Sequence, residues 1–157
     1  MTLRHHVAAF TTVAAPIEHV WRLLSDTRRY EEWVESTIRV VHADGETRLG
    51  MIYQEQTRLS GFWTALTTWE VVEFEPLTHL AFQCARAGAA RDLRIEFTAA
   101  PAGASTELSS TYSYGLRFGV LGSLIEFVAK NNVTAEQRRT LRTFAILAEH
   151  EMGGRDR

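Results

Sequence analysis

Residues 63–84, WTALTTWEVVEFEPLTHLAFQC, decide the fold of this chain, because they are typical of two strands joined at Glu75-Pro76. The stretch is rich in Val, Thr, Phe and Trp, which favour extended backbone. In its second half, Leu80, Phe82 and Cys84 recur at every second position, which is the period of a strand with one buried face. These three side chains are expected to point inward. The first half breaks this alternation, and we predict a bulge there that bends the strand.

The same kind of pattern continues on both sides of this stretch. Turn signals at Asp44-Gly45, Ser60-Gly61, Ala87-Gly88 and 101–103 separate runs of β-branched and aromatic residues. Asp-Gly is a strong hairpin signal because Gly readily takes a positive φ. We therefore predict a first strand at 6–13, followed by strands near residues 37–42, 50–58, 63–74, 78–84, 91–98 and 105–114.

Helical patterns occupy the two remaining parts of the chain. Pro16 precedes apolar residues at helical spacing, a second short helical piece lies around 30–33, and a long helix is predicted from about 121 to 149. The apolar stripe of the long helix drifts: Leu124, Phe127, Val128 and Asn131 share one side, and Leu141, Phe144, Ala145 and Ala148 share another. We expect the second half to pack into the sheet and the first half to span an opening.

This order of elements predicts an α+β fold in which a curved, seven-stranded antiparallel sheet surrounds a long C-terminal helix. The chain of 157 residues is expected to form a single domain (1–157) with an ordered core at about 3–150. The space between sheet and helix is either a filled core or a ligand cavity.

Composition narrows the classes of partner. A net charge of -2 gives no general attraction to phosphate backbones, so we expect no nucleic-acid binding. The apolar stretch 116–129 is interrupted by Arg117 and Glu126, so no stable membrane insertion is expected. The only cysteine is Cys84, which fits a cytoplasmic protein. We expect a monomer or a homodimer.

Several motifs resemble those of the START/Bet v 1-like (SRPBCC) superfamily. Its opening is similar to Ala14-Ala15-Pro16, Val20-Trp21, Leu24, Asp26, Tyr30 and Trp33; its later parts are similar to residues 69–76, Leu80-Ala81-Phe82, Ser105-Thr106-Glu107-Leu108 and the helix entry at 119–122. The subgroup of polyketide cyclase/dehydrase-like proteins shows the greatest likeness, over nearly the whole chain. The resemblance implies a helix-grip fold, with two short helices after strand 1, and a small apolar molecule in its interior.

The residues predicted to contact the ligand lie on inward strand positions, in the short helical piece or on the first half of the long helix. They are Trp33, Tyr53, Trp69, Phe82, Ile95, Tyr112, Tyr114, Leu124, Phe127, Val128 and Asn131. Tyr112 and Tyr114 either donate hydrogen bonds to a ligand or pack with their hydroxyl groups at the rim of the cavity. The tryptophans either stack on a polycyclic ligand or fill the core. Asn131 either binds the ligand or fixes the helix against the sheet.

Glu55 shares a face of the third strand with Tyr53. We favour an outward orientation, in which Glu55 is a solvated strand residue. If the face is inward, Glu55 is a desolvated carboxylate with a raised pKa, and a plausible base. The six histidines lack zinc-site spacing, so we expect no metal ion. We also expect no cofactor, and no residue is given a catalytic role at this point.

The leading hypothesis is a protein of secondary metabolism that binds a hydrophobic, aromatic or polyketide-like small molecule, as a carrier, a sequestering protein or a self-protection protein. The alternative is a cofactor-free polyketide cyclase, aromatase or dehydratase. In that case Tyr112 or Tyr114 would stabilise an enolate oxygen, and an inward Glu55 would remove the proton.

Overall fold

The computed structural model describes residues 3–43, 46–60, 62–87, 90–116 and 122–155. Within these residues lie seven strands: β1 (Leu3–Val13), β2 (Thr37–Ala43), β3 (Ile52–Ser60), β4 (Trp63–Glu75), β5 (His79–Ala87), β6 (Ala90–Ala102) and β7 (Ser105–Leu116). The helices are α1 (Ile17–Leu24), a short 3₁₀ helix (Thr27–Glu32) and α2 (Gly122–Arg155). The predicted order of elements is confirmed.

All strands join one antiparallel sheet in the order β1-β7-β6-β5-β4-β3-β2. The first strand pairs with the last, and Val7 lies opposite Tyr112. The chain then passes through α1 and the 3₁₀ helix to the far edge, where β2 begins. A register shift between Val71 and Glu73 interrupts the pairing of β4 with β5, which confirms the predicted bulge.

The second half of α2 packs against the sheet, as predicted from its apolar stripe. The four residues of that stripe, Leu141, Phe144, Ala145 and Ala148, are buried. The Phe144 ring meets the Trp33 ring at 4.9 Å in an edge-on arrangement. Near its end the helix is tied to α1, because His19 Nε2 donates to the Ala148 carbonyl at 3.0 Å. This half of the helix is therefore held in place by the aromatic core and by α1.

The side chains of residues 121–129 are outside the described part of the structure. The predicted ligand contacts of Leu124, Phe127 and Val128 lie there, so the expected roof of the interior is outside the described residues. Across the described ranges, no helix is long and apolar enough to cross a membrane.

Candidate functional site between the sheet and the long helix

An aromatic cluster forms one wall of the interior. Tyr53 of β3 and Phe82 of β5 meet edge-on at 5.5 Å, and the Tyr30 ring contacts both, at 5.6 and 5.8 Å. All three side chains are buried. The Tyr30 hydroxyl donates to the Leu24 carbonyl at 2.8 Å, so its polar end is already paired. Tyr53 and Phe82, which were both predicted to contact the ligand, lie on inward positions.

Trp33 and Ile95 extend this wall toward the core. Trp33 packs edge-on against Phe97 at 5.9 Å as well as against Phe144, which is the arrangement of a core residue. Its indole Nε1–H is buried and has no hydrogen-bond partner in the described part of the chain. Ile95 is half-buried and lies opposite Phe82 in the sheet register.

Tyr112 and Tyr114 lie on the inward face of β7, with their ring centroids 5.7 Å apart. Tyr114 is buried and its ring stacks on His5 at 5.3 Å. Tyr112 is half-buried. Burial raises the pKa of the Tyr112 phenol, and the negative charge of Glu136 raises it further.

Glu55 is buried, with 3% of its surface exposed, so the outward orientation favoured from the sequence is wrong. The alternation in β3 is the reason. Tyr53, Glu55 and Thr57 point inward, whereas Ile52 is 43% exposed on the outer face. Polar side chains therefore occupy inward positions and an apolar one the outer face, the reverse of the pattern that sequence reasoning assumes.

Three neutral donors hold the Glu55 carboxylate. Thr37 Oγ1 donates to Oε2 at 2.7 Å, while Thr57 Oγ1 and Trp69 Nε1 donate to Oε1 at 3.1 and 3.0 Å. Burial raises the pKa of Glu55, and these hydrogen bonds oppose the shift. The indole N–H of Trp69, a predicted ligand residue, is therefore already paired with Glu55. Among these contacts Oε2 accepts a single hydrogen bond and retains a lone pair that can accept a proton.

Sequence reasoning missed a polar segment of α2 that faces the same interior. Gln137 and Thr140 are buried. Ser110 of β7 donates to Gln137 Oε1 at 3.0 Å, and the Glu35 backbone N–H donates to Thr140 Oγ1 at 3.0 Å. The available signal was helical spacing, because residues 136, 140 and 144 recur every four positions and so share a face.

Glu136, on this segment, is half-buried. Burial raises the pKa of Glu136, and the carboxyl groups of Glu35 and Glu55 raise it further. The interior therefore receives one carboxyl from the sheet and another from the helix.

Asn131 is exposed, so the expectation of a buried amide is wrong. At 100° per residue, position 131 lies roughly a third of a turn from the stripe that Gln137, Leu141 and Phe144 bury. Contact between Asn131 and a ligand stays a prediction.

A separate groove of about 540 Å³ lies on the outer face of β1, β7 and β6. Its lining includes Phe10, Thr98 and Glu107, and none of the predicted ligand residues belongs to it. The described part of the chain brings together no three His, Cys, Asp or Glu side chains that could hold a metal ion.

Glu136→Gln is expected to gain stability relative to the wild-type protein as pH rises above the ordinary glutamate value of 4.5. A raised folded-state pKa means that the folded protein holds this proton more tightly than the unfolded chain does. Stability is therefore lost as pH rises from the ordinary value through the raised one. Glutamine has no such loss and keeps the size of the side chain.

Urea unfolding from about pH 4 to about pH 8 measures this difference. Glu107→Gln is the matched control, because Glu107 is exposed on the outer face of β7. A difference between Glu136→Gln and wild type that stays constant across this range would contradict the prediction.

The sequence matches a known protein family over most of its length. The sequence model of the family described as "Polyketide cyclase / dehydrase and lipid transport" matches residues 4–149. No curated protein sequence gives a significant match.

Three solved structures illustrate the likeness in fold. A protein from Thermus thermophilus is 15% identical with a TM-score of 0.77, and the alignment covers 92% of this chain and 97% of that one. The Zhui aromatase/cyclase from Streptomyces sp. R1128 is 21% identical with a TM-score of 0.71, covering 99% and 97%. Norcoclaurine synthase of Thalictrum flavum is 14% identical with a TM-score of 0.71, covering 96% and 98%.

Proposed function

Since the chain belongs to the polyketide cyclase/dehydrase and lipid transport family, we propose that it binds a hydrophobic, aromatic or polyketide-like small molecule between its curved sheet and α2. One observation carries this proposal. The hydroxyl groups of Tyr53 and Tyr112 come from distant strands, border one region of the interior, and make no hydrogen bond to the described part of the chain.

The curvature of the sheet brings these two tyrosines together. Strands β3 and β7 are separated by β4, β5 and β6, which in a flat sheet would place them about 19 Å apart. Tyr53 nevertheless meets Phe82 at 5.5 Å, Phe82 lies opposite Ile95, and Ile95 lies opposite Tyr112, so these side chains form a continuous row along the inner face. Both phenols therefore act on one region of the interior.

A buried phenol and a half-buried one, both with available hydroxyl groups, suit an aromatic ligand that carries oxygen. A buried tyrosine hydroxyl usually has a hydrogen-bond partner, and a carbonyl or phenol of the ligand would supply it. The rings of Phe82 and Tyr30 supply an apolar surface beside Tyr53. Native mass spectrometry of the protein from a polyketide-producing host should reveal a bound small molecule, and a consistently empty protein would count against binding.

Tyr53→Phe and Tyr112→Phe are each expected to weaken binding of the hydroxyanthraquinone emodin by about 3- to 10-fold, because each removes one hydrogen bond to the ligand. The stability of the ligand-free protein should hardly change, since neither hydroxyl bonds to the described part of the chain. Quenching of tryptophan fluorescence measures the affinity, and urea unfolding measures the stability.

Tyr30→Phe is the matched control for this pair. Its hydroxyl donates to the Leu24 carbonyl, so its removal should lower stability and leave emodin affinity unchanged. Unchanged affinity in both Tyr53→Phe and Tyr112→Phe would remove these hydroxyls from the site.

The buried Glu55 favours a second function, a cofactor-free cyclase or dehydratase. A carboxylate with a raised pKa can take a proton from the carbon next to a carbonyl, and Tyr53 or Tyr112 could donate to the resulting enolate oxygen. Incubation of the protein with a naphthyl β-hydroxyketone separates the two functions. A carrier returns the compound unchanged, whereas the enzyme releases the conjugated enone.

A further inference from the structure

Two aromatic side chains are exposed at the tip of the hairpin that joins β3 and β4. Phe62 is 85% exposed and Trp63 is 66% exposed, and their rings stack with centroids 5.3 Å apart. Neither ring belongs to the hydrophobic core formed by the described residues, so the fold does not need them there. A single exposed apolar residue is ordinary, whereas two in contact form an apolar patch of the kind that marks an interaction site.

The tip of this hairpin extends beyond the strands on either side of it. On one side, β2 begins at Thr37, which pairs with Thr57, so the last residues of β3 continue past it. On the other side, the pairing of β4 with β5 in the described ranges begins only at Glu70. The two rings are therefore carried on a projecting part of the sheet, where they can meet a surface without interference from neighbouring strands.

The exposed charges nearest to the tip are positive. Arg58 of β3 lies opposite Thr64, next to the tip, and forms no ion pair with any of the described residues. Arg39 of β2 is exposed and donates to the neutral Gln56 side chain at 3.2 Å. Glu55 is the only acidic residue in the sequence from 50 to 69, and it is buried. The surface of the hairpin near the tip is therefore cationic.

Charge is distributed unevenly along the strands. The sheet register places Arg4 of β1 and Arg91 of β6 at the same end as the hairpin tip, together with one exposed acid, Asp92. At the opposite end, the exposed acids Glu75 and Glu107 lie beside the two turns that join β4 to β5 and β6 to β7. The net charge of -2 thus hides a cationic end, which an anionic surface would attract.

An exposed aromatic pair beside unpaired arginines fits a lipid bilayer better than it fits a protein. A stable protein interface buries about 1,000 Å² or more over a complementary surface, which the narrow tip of one hairpin does not supply. A bilayer needs no such complementarity. Tryptophan is favoured at the boundary between headgroups and acyl chains, and each arginine near an anionic leaflet adds to the attraction.

We propose that the tip surface, formed by Phe62, Trp63, Arg39 and Arg58, docks this protein on an anionic lipid bilayer. The two rings enter the boundary between headgroups and acyl chains, and the two guanidinium groups meet lipid phosphates. Docking is peripheral and reversible, because two side chains bury far less apolar surface than a spanning helix does. It goes beyond the proposed binding of a small molecule and needs no ligand in the interior.

Trp63 gives a direct measurement of docking, because the other three tryptophans, Trp21, Trp33 and Trp69, are buried. The ligand-free protein is mixed with vesicles of equal parts phosphatidylcholine and phosphatidylglycerol. Its fluorescence should shift to shorter wavelength, and it should be quenched when the phosphatidylcholine carries bromine on its acyl chains. In Trp63→Phe this quenching should disappear while the protein still binds, because phenylalanine keeps an apolar ring at the tip.

Co-sedimentation with the same vesicles measures the affinity of each variant. Phe62→Ala and Trp63→Ala should each weaken binding about 10-fold, the usual effect of exposing one large apolar side chain. Arg58→Gln should weaken it about 5-fold. Phe10→Ala and Arg22→Gln are the matched controls and should leave the affinity unchanged, because Phe10 is 79% exposed on β1 and Arg22 is exposed on α1, both away from the tip.

Three results would overturn the docking proposal. The first is a wild-type protein that does not sediment with these vesicles, and the second is equal binding to vesicles of phosphatidylcholine alone. The third is self-association without vesicles that Phe62→Ala abolishes, which would assign the tip surface to contact with a second copy of the chain. None of these measurements involves the interior, so failure here leaves the proposed small-molecule site standing.

Discussion

Phe144→Ala is expected to lower the free energy of unfolding by about 3–5 kcal/mol, the usual cost of truncating a buried phenylalanine. Phe144 is fully buried at the contact between α2 and the sheet, and its ring meets Trp33 at 4.9 Å. Trp33 in turn packs on Phe97 and Tyr30, so the cavity left by the substitution opens at the centre of the aromatic core.

Urea unfolding followed by near-ultraviolet circular dichroism measures this loss. Ile146→Ala is the matched control, because Ile146 lies two residues further along α2 and is 62% exposed; its effect should stay within about 0.5 kcal/mol. Phe144→Leu should cost less than Phe144→Ala and keeps the test informative if the alanine variant does not fold. A loss below about 1 kcal/mol in Phe144→Ala would show that α2 is not held by this contact.

Glu55→Gln is expected to slow enone formation from a naphthyl β-hydroxyketone by about 10²- to 10⁴-fold, the usual contribution of a general base. The fold should survive, because the amide oxygen can still accept from Trp69 and Thr57, and the amide nitrogen can donate to Thr37 Oγ1. Emodin binding should persist, since the aromatic wall around Tyr53 is unchanged.

Glu70→Gln is the comparison for this variant, because Glu70 is exposed on β4, opposite Ile52 in the sheet. It should keep the wild-type rate. If Glu55→Gln also keeps that rate, Glu55 is a structural acceptor for its three donors and the carrier function is favoured over the enzyme.

The architecture could be predicted because it depends on local signals. The turn at Glu75-Pro76, the helix after Pro16 and the bend at Val71–Glu73 each follow from short-range backbone preferences. The apolar stripe at Leu141 and Phe144 likewise predicted which half of the long helix packs into the sheet. These features need no knowledge of which side chains meet across the interior.

The polar part of the site could not be predicted because it depends on long-range contacts. Glu55 is buried only because Thr37, Thr57 and Trp69 supply donors from three strands. An isolated glutamate in a strand gives no sign of such partners, and burial without them would be costly. The polar segment of α2 was missed for the same reason, since Gln137 is paired with Ser110 and Thr140 with the Glu35 backbone, both far earlier in the chain.

The pairing of β1 with β7 has a consequence for how this chain folds. The Thr106 hydroxyl donates to the Ala15 carbonyl across 91 residues, and the Ala14 amide donates to Glu149 across 135 residues. Such contacts require closure of nearly the whole chain, and closure entropy makes non-local pairing slow. During synthesis β1 leaves the ribosome long before its partner exists, so its hydrogen-bonding edge stays open until β7 has been made. The docking of β1 on β7 must therefore come late, as the step that completes the sheet.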